Sequence, residues 1–166
     1  MSRLLTLQNH LKARAREGRL AEHQLRAFRD VQARWRHPEK LNLCGPAGAG
    51  KTFLGWALAY ESGASFYAAP ELLDAAPVPN RPVIIDNIDV DAYPLRRLLA
   101  MLELYNVRSA LLISRSANPG LLPVIHLPVP DAADMTIVLH NLSELEFYSL
   151  NPPESADLWA IVRATL

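Results

Sequence analysis

The chain has 166 residues, half of them hydrophobic, and its 17 basic and 17 acidic side chains cancel at pH 7. That length and apolar content suit one domain with a real core. No apolar run approaches the ~20 residues of a membrane span. The N-terminus has no secretory pattern, and the single cysteine, Cys44, excludes an intrachain disulfide. These features predict a cytoplasmic protein with no membrane partner.

The charge is unevenly spread. Residues 1–40 carry ten Lys/Arg against four acids, a surplus of six that the remainder offsets. Such a surplus fits an anionic partner such as DNA; it equally fits a solvated helix surface or an intramolecular match to the acidic remainder. Leu4, Leu7, Leu11, Leu20, Leu25, Phe28, Val31 and Trp35 recur at helical spacing across residues 4–35, with Gly18 between two helices and His37-Pro38 closing the segment.

A short apolar strand over residues 41–44 follows, then glycines, then a helix over residues 52–60. Strands are predicted at residues 65–68 and at 82–86, where Val83-Ile84-Ile85 is β-branched and uninterrupted, as in a strand covered on both faces. Leu95, Leu98, Leu99 and Leu102 stripe a helix over residues 94–105, with Pro94 in its first turn. A fourth strand fits residues 110–114. Residues 118–134, with prolines at 119, 123, 128 and 130, read as extended loop. Two more strands fit residues 136–139 and 146–150, before a final amphipathic helix through Leu158, Ile161 and Val162. The alternation predicts a three-layer α/β domain with a parallel central sheet. It forms one unit over residues 1–166, a basic helical segment (1–40) leading into the core (41–166).

Gly45-Pro46-Ala47-Gly48-Ala49-Gly50-Lys51-Thr52 matches G-x-x-x-x-G-K-[ST] between a strand and a helix. Glycines let backbone N–H groups turn towards phosphate oxygens, and the helix that follows, with Phe53 in its first turn counted among the nucleotide-binding residues, adds its positive end. Lys51 is expected on the β- and γ-phosphates of ATP or ADP, and the Thr52 hydroxyl on Mg²⁺. Mg²⁺ also needs a carboxylate at a neighbouring strand end, which Asp86 supplies. The following residue, Asn87, can orient a water but cannot take its proton, so hydrolysis is expected to be slow. Asp89 and Asp91 are the nearby acids. Ser114 and Ser116 follow the fourth strand, where a hydroxyl is expected to reach the γ-phosphate. Cys44 reads as a packed strand residue, and Trp35, Trp56 and Trp159 as packing residues.

Together these pieces resemble the AAA+ ATPases of the DnaA/Hda-like family over roughly residues 40–160. The similar segments are Asp86-Asn87-Ile88-Asp89, Leu104-Tyr105-Asn106, the sensor-strand segment Leu111-Leu112-Ile113-Ser114, and Phe147-Tyr148-Ser149-Leu150-Asn151-Pro152. The resemblance implies an AAA+ core acting through protein partners in DNA replication control or a related DNA transaction, and permits a homo-oligomer. It also implies an arginine reaching a neighbouring subunit's ATP, yet the matching segment Pro130-Asp131-Ala132-Ala133-Asp134-Met135 has none. Arg115 is the only arginine between positions 109 and 162, and the chain ends at Leu166, where the family's helical lid is expected to begin. These departures leave weak ATPase, non-hydrolysing adaptor and transposition- or helicase-loader-type ATPase as competing readings. A small-molecule kinase is the remaining class, but such kinases usually require a substrate lid with several arginines, and the region after Ser116 offers only Arg163.

Overall fold

A computed structural model of the chain describes residues 3–73, 77 and 80–143. In order, these form α1 (Arg3–Arg14), a 3₁₀ turn (Glu17–Arg19), α2 (Glu22–Arg34), β1 (Lys40–Cys44), α3 (Lys51–Ser62) and β2 (Ser65–Tyr67). A second 3₁₀ turn (Pro70–Leu72), β3 (Val83–Ile85), α4 (Ala92–Leu104), β4 (Ala110–Ser114), β5 (Val124–His126) and α5 (Ala132–Ser143) follow. The five strands pair in parallel in the order β2-β3-β4-β1-β5.

Alternation along these strands sorts the core into two layers. Leu41, Leu43, Ile84, Leu111 and Ile113 turn to one face, against Phe28 and Val31 of α2 and Leu54, Ala57 and Leu58 of α3. Val83, Ile85, Ala110 and Leu112 turn to the other, against Leu95, Leu98 and Leu102 of α4. Helices thus cover both faces, which explains the continuous apolar runs of β3 and β4. The predicted α/β class with a parallel sheet holds, as do both N-terminal helices around Gly18 and the strands and helices up to residue 114.

Two expectations are corrected. Residues 118–134 are not all loop, because β5 lies within them, paired with β1 from Asn42↔Val124 to Cys44↔His126. Its flanking prolines hide it in the sequence, yet Pro123 still accepts through its carbonyl from Asn42 N–H at 2.9 Å. Residues 136–139 are helix, not strand: they fall inside α5. Asp131 Oδ1 accepts from Asp134 N–H at 2.8 Å while Asp134 Oδ2 accepts from Asp131 N–H at 3.2 Å. This reciprocal cap starts a helix that overrides the β-branched Thr136-Ile137-Val138. The strand expected at residues 146–150, the final helix, Trp159 and the segment 147–152 lie outside the described residues.

Candidate functional site

The carboxyl ends of β1, β3 and β4 converge above the start of α3, the place where open α/β sheets bind ligands. Gly45 leaves β1 with its N–H donating to the Ser114 carbonyl of β4 at 3.3 Å. A Cβ on Gly45 would collide with the Leu127 carbonyl, so only glycine fits. The loop then turns through Gly48 (φ +80°) and Gly50 (φ +87°), left-handed conformations natural to glycine. Gly50 occupies the N-cap position of α3. The loop's first-turn N–H groups therefore have no side-chain cap and stand open to an anion.

Lys51 Nζ donates to the carbonyls of Gly45 at 2.5 Å and Pro46 at 2.7 Å. Burial holds its pKa below the ordinary lysine value, with Asp86 opposing and the Arg115 charge reinforcing the shift. Thr52 Oγ1–H donates to Asp86 Oδ2 at 2.6 Å, and Asn87 N–H donates to Asp86 Oδ1 at 2.8 Å. Asp86 is 5% exposed, and that burial raises its pKa against the lowering effects of Thr52, Asn87 and Lys51. A cavity of about 830 Å³ opens over these groups, lined also by Asn87, Asp89, Ser114, Arg115 and Ser116.

The other sequence-predicted residues divide. Asn87 adopts φ +54° and its Nδ2 donates to the Ala68 carbonyl at 3.0 Å, bracing the end of β3 against the chain leaving β2. Asp89 reaches the cavity rim, while Asp91 is not among the lining residues. Ser114 falls on the strand parity of Leu112, facing the α4 layer. Its Oγ accepts from Asn42 Nδ2 at 2.9 Å and donates to the Ser116 carbonyl at 2.6 Å, so its proton is already committed. Asn118 completes this buried network through Asn42 Oδ1. Ser116 is exposed at the cavity. Cys44 is buried with Sγ 3.2 Å from His126 Nδ1. Burial pushes its thiol up despite the nearby Lys51 charge, the wrong direction for a nucleophile. Trp35 and Trp56 pack against the core, Trp56 tilted on Phe66 at 6.2 Å.

Sequence reading missed two supports from α2 and one from α5. His23 Nε2 lies 2.8 Å from the Ala49 carbonyl, and because a carbonyl only accepts, Nε2 carries the hydrogen. The other ring nitrogen of His23 faces Asp134 Oδ2 at 3.3 Å, and Asp134 Oδ1 accepts from His23 N–H at 3.3 Å. Gln24 Nε2 donates to the Gly50 carbonyl at 3.0 Å, while its Oε1 accepts from Ala21 N–H at 3.0 Å. The readable signal was Gln24 itself, a polar residue on the buried stripe of Leu20, Ala27, Phe28 and Val31.

Part of the N-terminal positive charge is matched within the chain. Arg26 faces Glu22 at 3.2 Å, Arg34 faces Asp30 at 2.9 Å and Glu39 at 3.7 Å, and Lys40 faces Glu103 at 2.8 Å. Arg16 lies 3.2 Å over the Tyr60 ring. Among the described residues no helix is long and apolar enough to cross a membrane, and no group of three or more His, Cys, Asp or Glu is placed to hold a metal alone. No family model matches the chain, and no curated protein is significantly similar to it.

Proposed function

We propose that this chain is a phosphate-loop nucleotide-binding protein of the DnaA/Hda-like AAA+ type that takes ATP or ADP with Mg²⁺ at residues 45–52. In this reading it acts through protein contacts in DNA replication control or a related DNA transaction, with weak or no hydrolysis. One observation carries the nucleotide reading. The Thr52 hydroxyl and Asp86 carboxylate meet at 2.6 Å beside a loop whose glycines, at φ +80° and +87°, leave the first turn of α3 uncapped.

The residues divide the work. Loop amides and the α3 N-terminus would hold the inner phosphates. Lys51 would exchange two neutral carbonyls for anionic oxygens, a stronger partner for a desolvated ammonium. A hydroxyl and a single carboxylate suit Mg²⁺, which keeps waters and shares phosphate oxygens instead of demanding an all-protein cage. Thr52 and Asp86 would hold that ion, which would neutralise charge on the phosphates when bound. Asn87 cannot accept a proton, and its amide is already braced on Ala68, so water is oriented but not activated.

A second reading is an adaptor that keeps the loop as structure and binds no nucleotide. It is favoured by Lys51 and Thr52 already having intrachain partners. Thermal unfolding separates the two. At ligand about a hundred times Kd, Mg-ATP or Mg-ADP raises Tm by roughly 5–10 °C if the native state binds it, and Lys51→Ala removes the rise. An unmoved Tm in the wild-type chain selects the adaptor; an undiminished rise in Lys51→Ala refutes the site.

A further inference from the structure

Both ring nitrogens of the buried His23 face oxygens. Nε2 lies 2.8 Å from the Ala49 carbonyl of the phosphate loop. Nδ1 has no hydrogen-bond partner among the described residues and lies 3.3 Å from Asp134 Oδ2 of α5. A neutral imidazole has one N–H and one bare nitrogen, so a neutral ring sets a buried lone pair against one of these two oxygens. Protonated at both nitrogens, the ring gives Ala49 a donor and Asp134 a counter-charge. Asp134 is the ionised member of the pair. Burial acts to raise its pKa, yet the N–H groups of Asp131 and His23 and the His23 ring hold it below the ordinary value. Of the other charged groups on the elements packed around the ring, Glu22 holds Arg26, Arg19 reaches Asn141, Lys12 of α1 lies over Phe66, Lys51 sits on the loop's own carbonyls and Asp131 caps α5. Among the described residues Asp134 alone is within ion-pair distance of His23.

We infer that His23 is a positioning residue of the phosphate loop that works only as an imidazolium, so that nucleotide affinity weakens as pH rises and the ring gives up a proton. The inference rests on the nucleotide reading above. A trans peptide points its C=O and its N–H in opposite directions. His23 Nε2–H holds the Ala49 carbonyl towards α2 and thereby turns the Gly50 N–H the other way. Gln24 Nε2 does the same for the Gly50 carbonyl and the Lys51 N–H. The first turn of α2 thus aims successive amides of the loop. The two grips differ in kind. Gln24 keeps its N–H at any pH, but a ring left with one hydrogen gives it to the stronger acceptor, the Asp134 carboxylate. Nδ1–H then faces Asp134, and a bare Nε2 faces the Ala49 carbonyl. That peptide is released while Gln24 still holds the next one. The grip of His23 is therefore present on the acid side of the imidazole range and fades on the alkaline side.

Two measurements test it. In the nucleotide-free chain, long-range proton–nitrogen NMR spectra distinguish charged from neutral rings, and His23→Gln identifies the His23 signals among the five histidines. At about pH 5.5 both His23 nitrogens are expected to carry hydrogen; one bare nitrogen there would overturn the inference. Calorimetric titration of Mg-ADP at about pH 6 and about pH 8.5 then compares the wild type with Asp134→Asn. The side-chain amide of that variant donates to a bare Nδ1 and leaves Nε2–H on Ala49, so its loop stays held without the extra proton. Between the two pH values, wild-type affinity is expected to fall by about threefold to tenfold more than that of the variant, the worth of one hydrogen bond. The nucleotide and the remaining titrating groups are common to both chains and cancel in the comparison. Equal pH dependence in the two chains overturns the role of His23 and leaves the nucleotide site standing. If the wild type binds no Mg-ADP at either pH, the proposed function itself fails and this role with it.

Discussion

The charge of Asp86 works against the stability of the fold that buries it. It is 5% exposed, and burial raises its carboxyl pKa above the ordinary value near 3.8. A raised acid pKa means the folded state favours the protonated form. The stability it contributes is present at low pH and is lost as pH rises from the ordinary value through the raised one. At neutral pH the ionised carboxylate is therefore a cost, of about 1.4 kcal/mol for each unit of displacement. Asp86→Asn keeps an oxygen to accept from Thr52 and removes the charge, while its NH₂ turns on the Asn87 N–H that the carboxylate accepts from. That lost bond is independent of pH, so without ligand the Tm of the variant relative to wild type is expected to climb by a few degrees from pH 4 to pH 8, at about 2–4 °C per kcal/mol for a chain of this size. Its affinity for Mg-ATP is expected to fall more than tenfold. Differential scanning fluorimetry at pH 4 to 8, with and without Mg-ATP, reads both effects; a Tm difference that stays constant across that range would contradict the desolvation argument.

Elements were legible wherever one physical signal dominated. Val83-Ile84-Ile85 and Leu111-Leu112-Ile113 announce strands because both faces are covered, and Leu95, Leu98 and Leu102 announce α4 by their spacing. The phosphate-loop pattern placed Gly45 to Thr52 on a strand-to-helix turn that the structure also has. Three-residue β5 was hidden because its pairing with β1 is a long-range fact while its prolines are local ones. In α5, the Asp131 and Asp134 cap outweighed β-branching. The His23, Gln24 and Asp134 clamp was invisible because residues 23 and 134 meet only in space. That clamp joins α2, α5 and the loop through the Ala49 and Gly50 carbonyls. Burial of Asp134 acts to raise its pKa, yet the N–H groups of Asp131 and His23 and the His23 ring hold it below the ordinary value. The sign is opposite to that of Asp86: its contribution is present above the ordinary carboxylate value and fades as pH falls through the depressed one. Asp134→Asn is expected to flatten the acid limb of the stability curve. His23→Ala leaves the Ala49 carbonyl without its donor and is expected to cost about 1–3 kcal/mol. Denaturant melts from pH 2 to 7 measure both, and an unaltered acid limb in Asp134→Asn would dismiss the clamp as an acid-sensitive support.

At the scale of the molecule, the question is whether one chain carries a whole site or half of one. The DnaA/Hda-like resemblance implies that a neighbour's arginine completes the nucleotide site. Here the corresponding segment, with Asp131 and Asp134, carries no arginine. Asp134 is also buried at 5% exposure and turned inward onto His23 of its own chain. A segment fixed this way has no cation to present to a second copy. If the chain binds nucleotide as proposed, this segment would bring no cation to a neighbour's phosphates, and the lysine of the same chain's loop, Lys51, would face its own. Phosphate-loop GTPases acting without a cation supplied by a partner turn over at about 10⁻² per second or slower, and Asn87 adds no general base. Turnover here is therefore expected at or below that rate, and expected to be first order in protein. Phosphate release per chain should stay constant as protein rises from about 0.1 to 10 μM, a range over which self-association with a Kd near 1 μM, about −8.2 kcal/mol, would pass from the minor to the major state. A rise in turnover per chain across that range would mean that a second copy contributes a catalytic residue, and the inward seat of Asp134 would have to be given up.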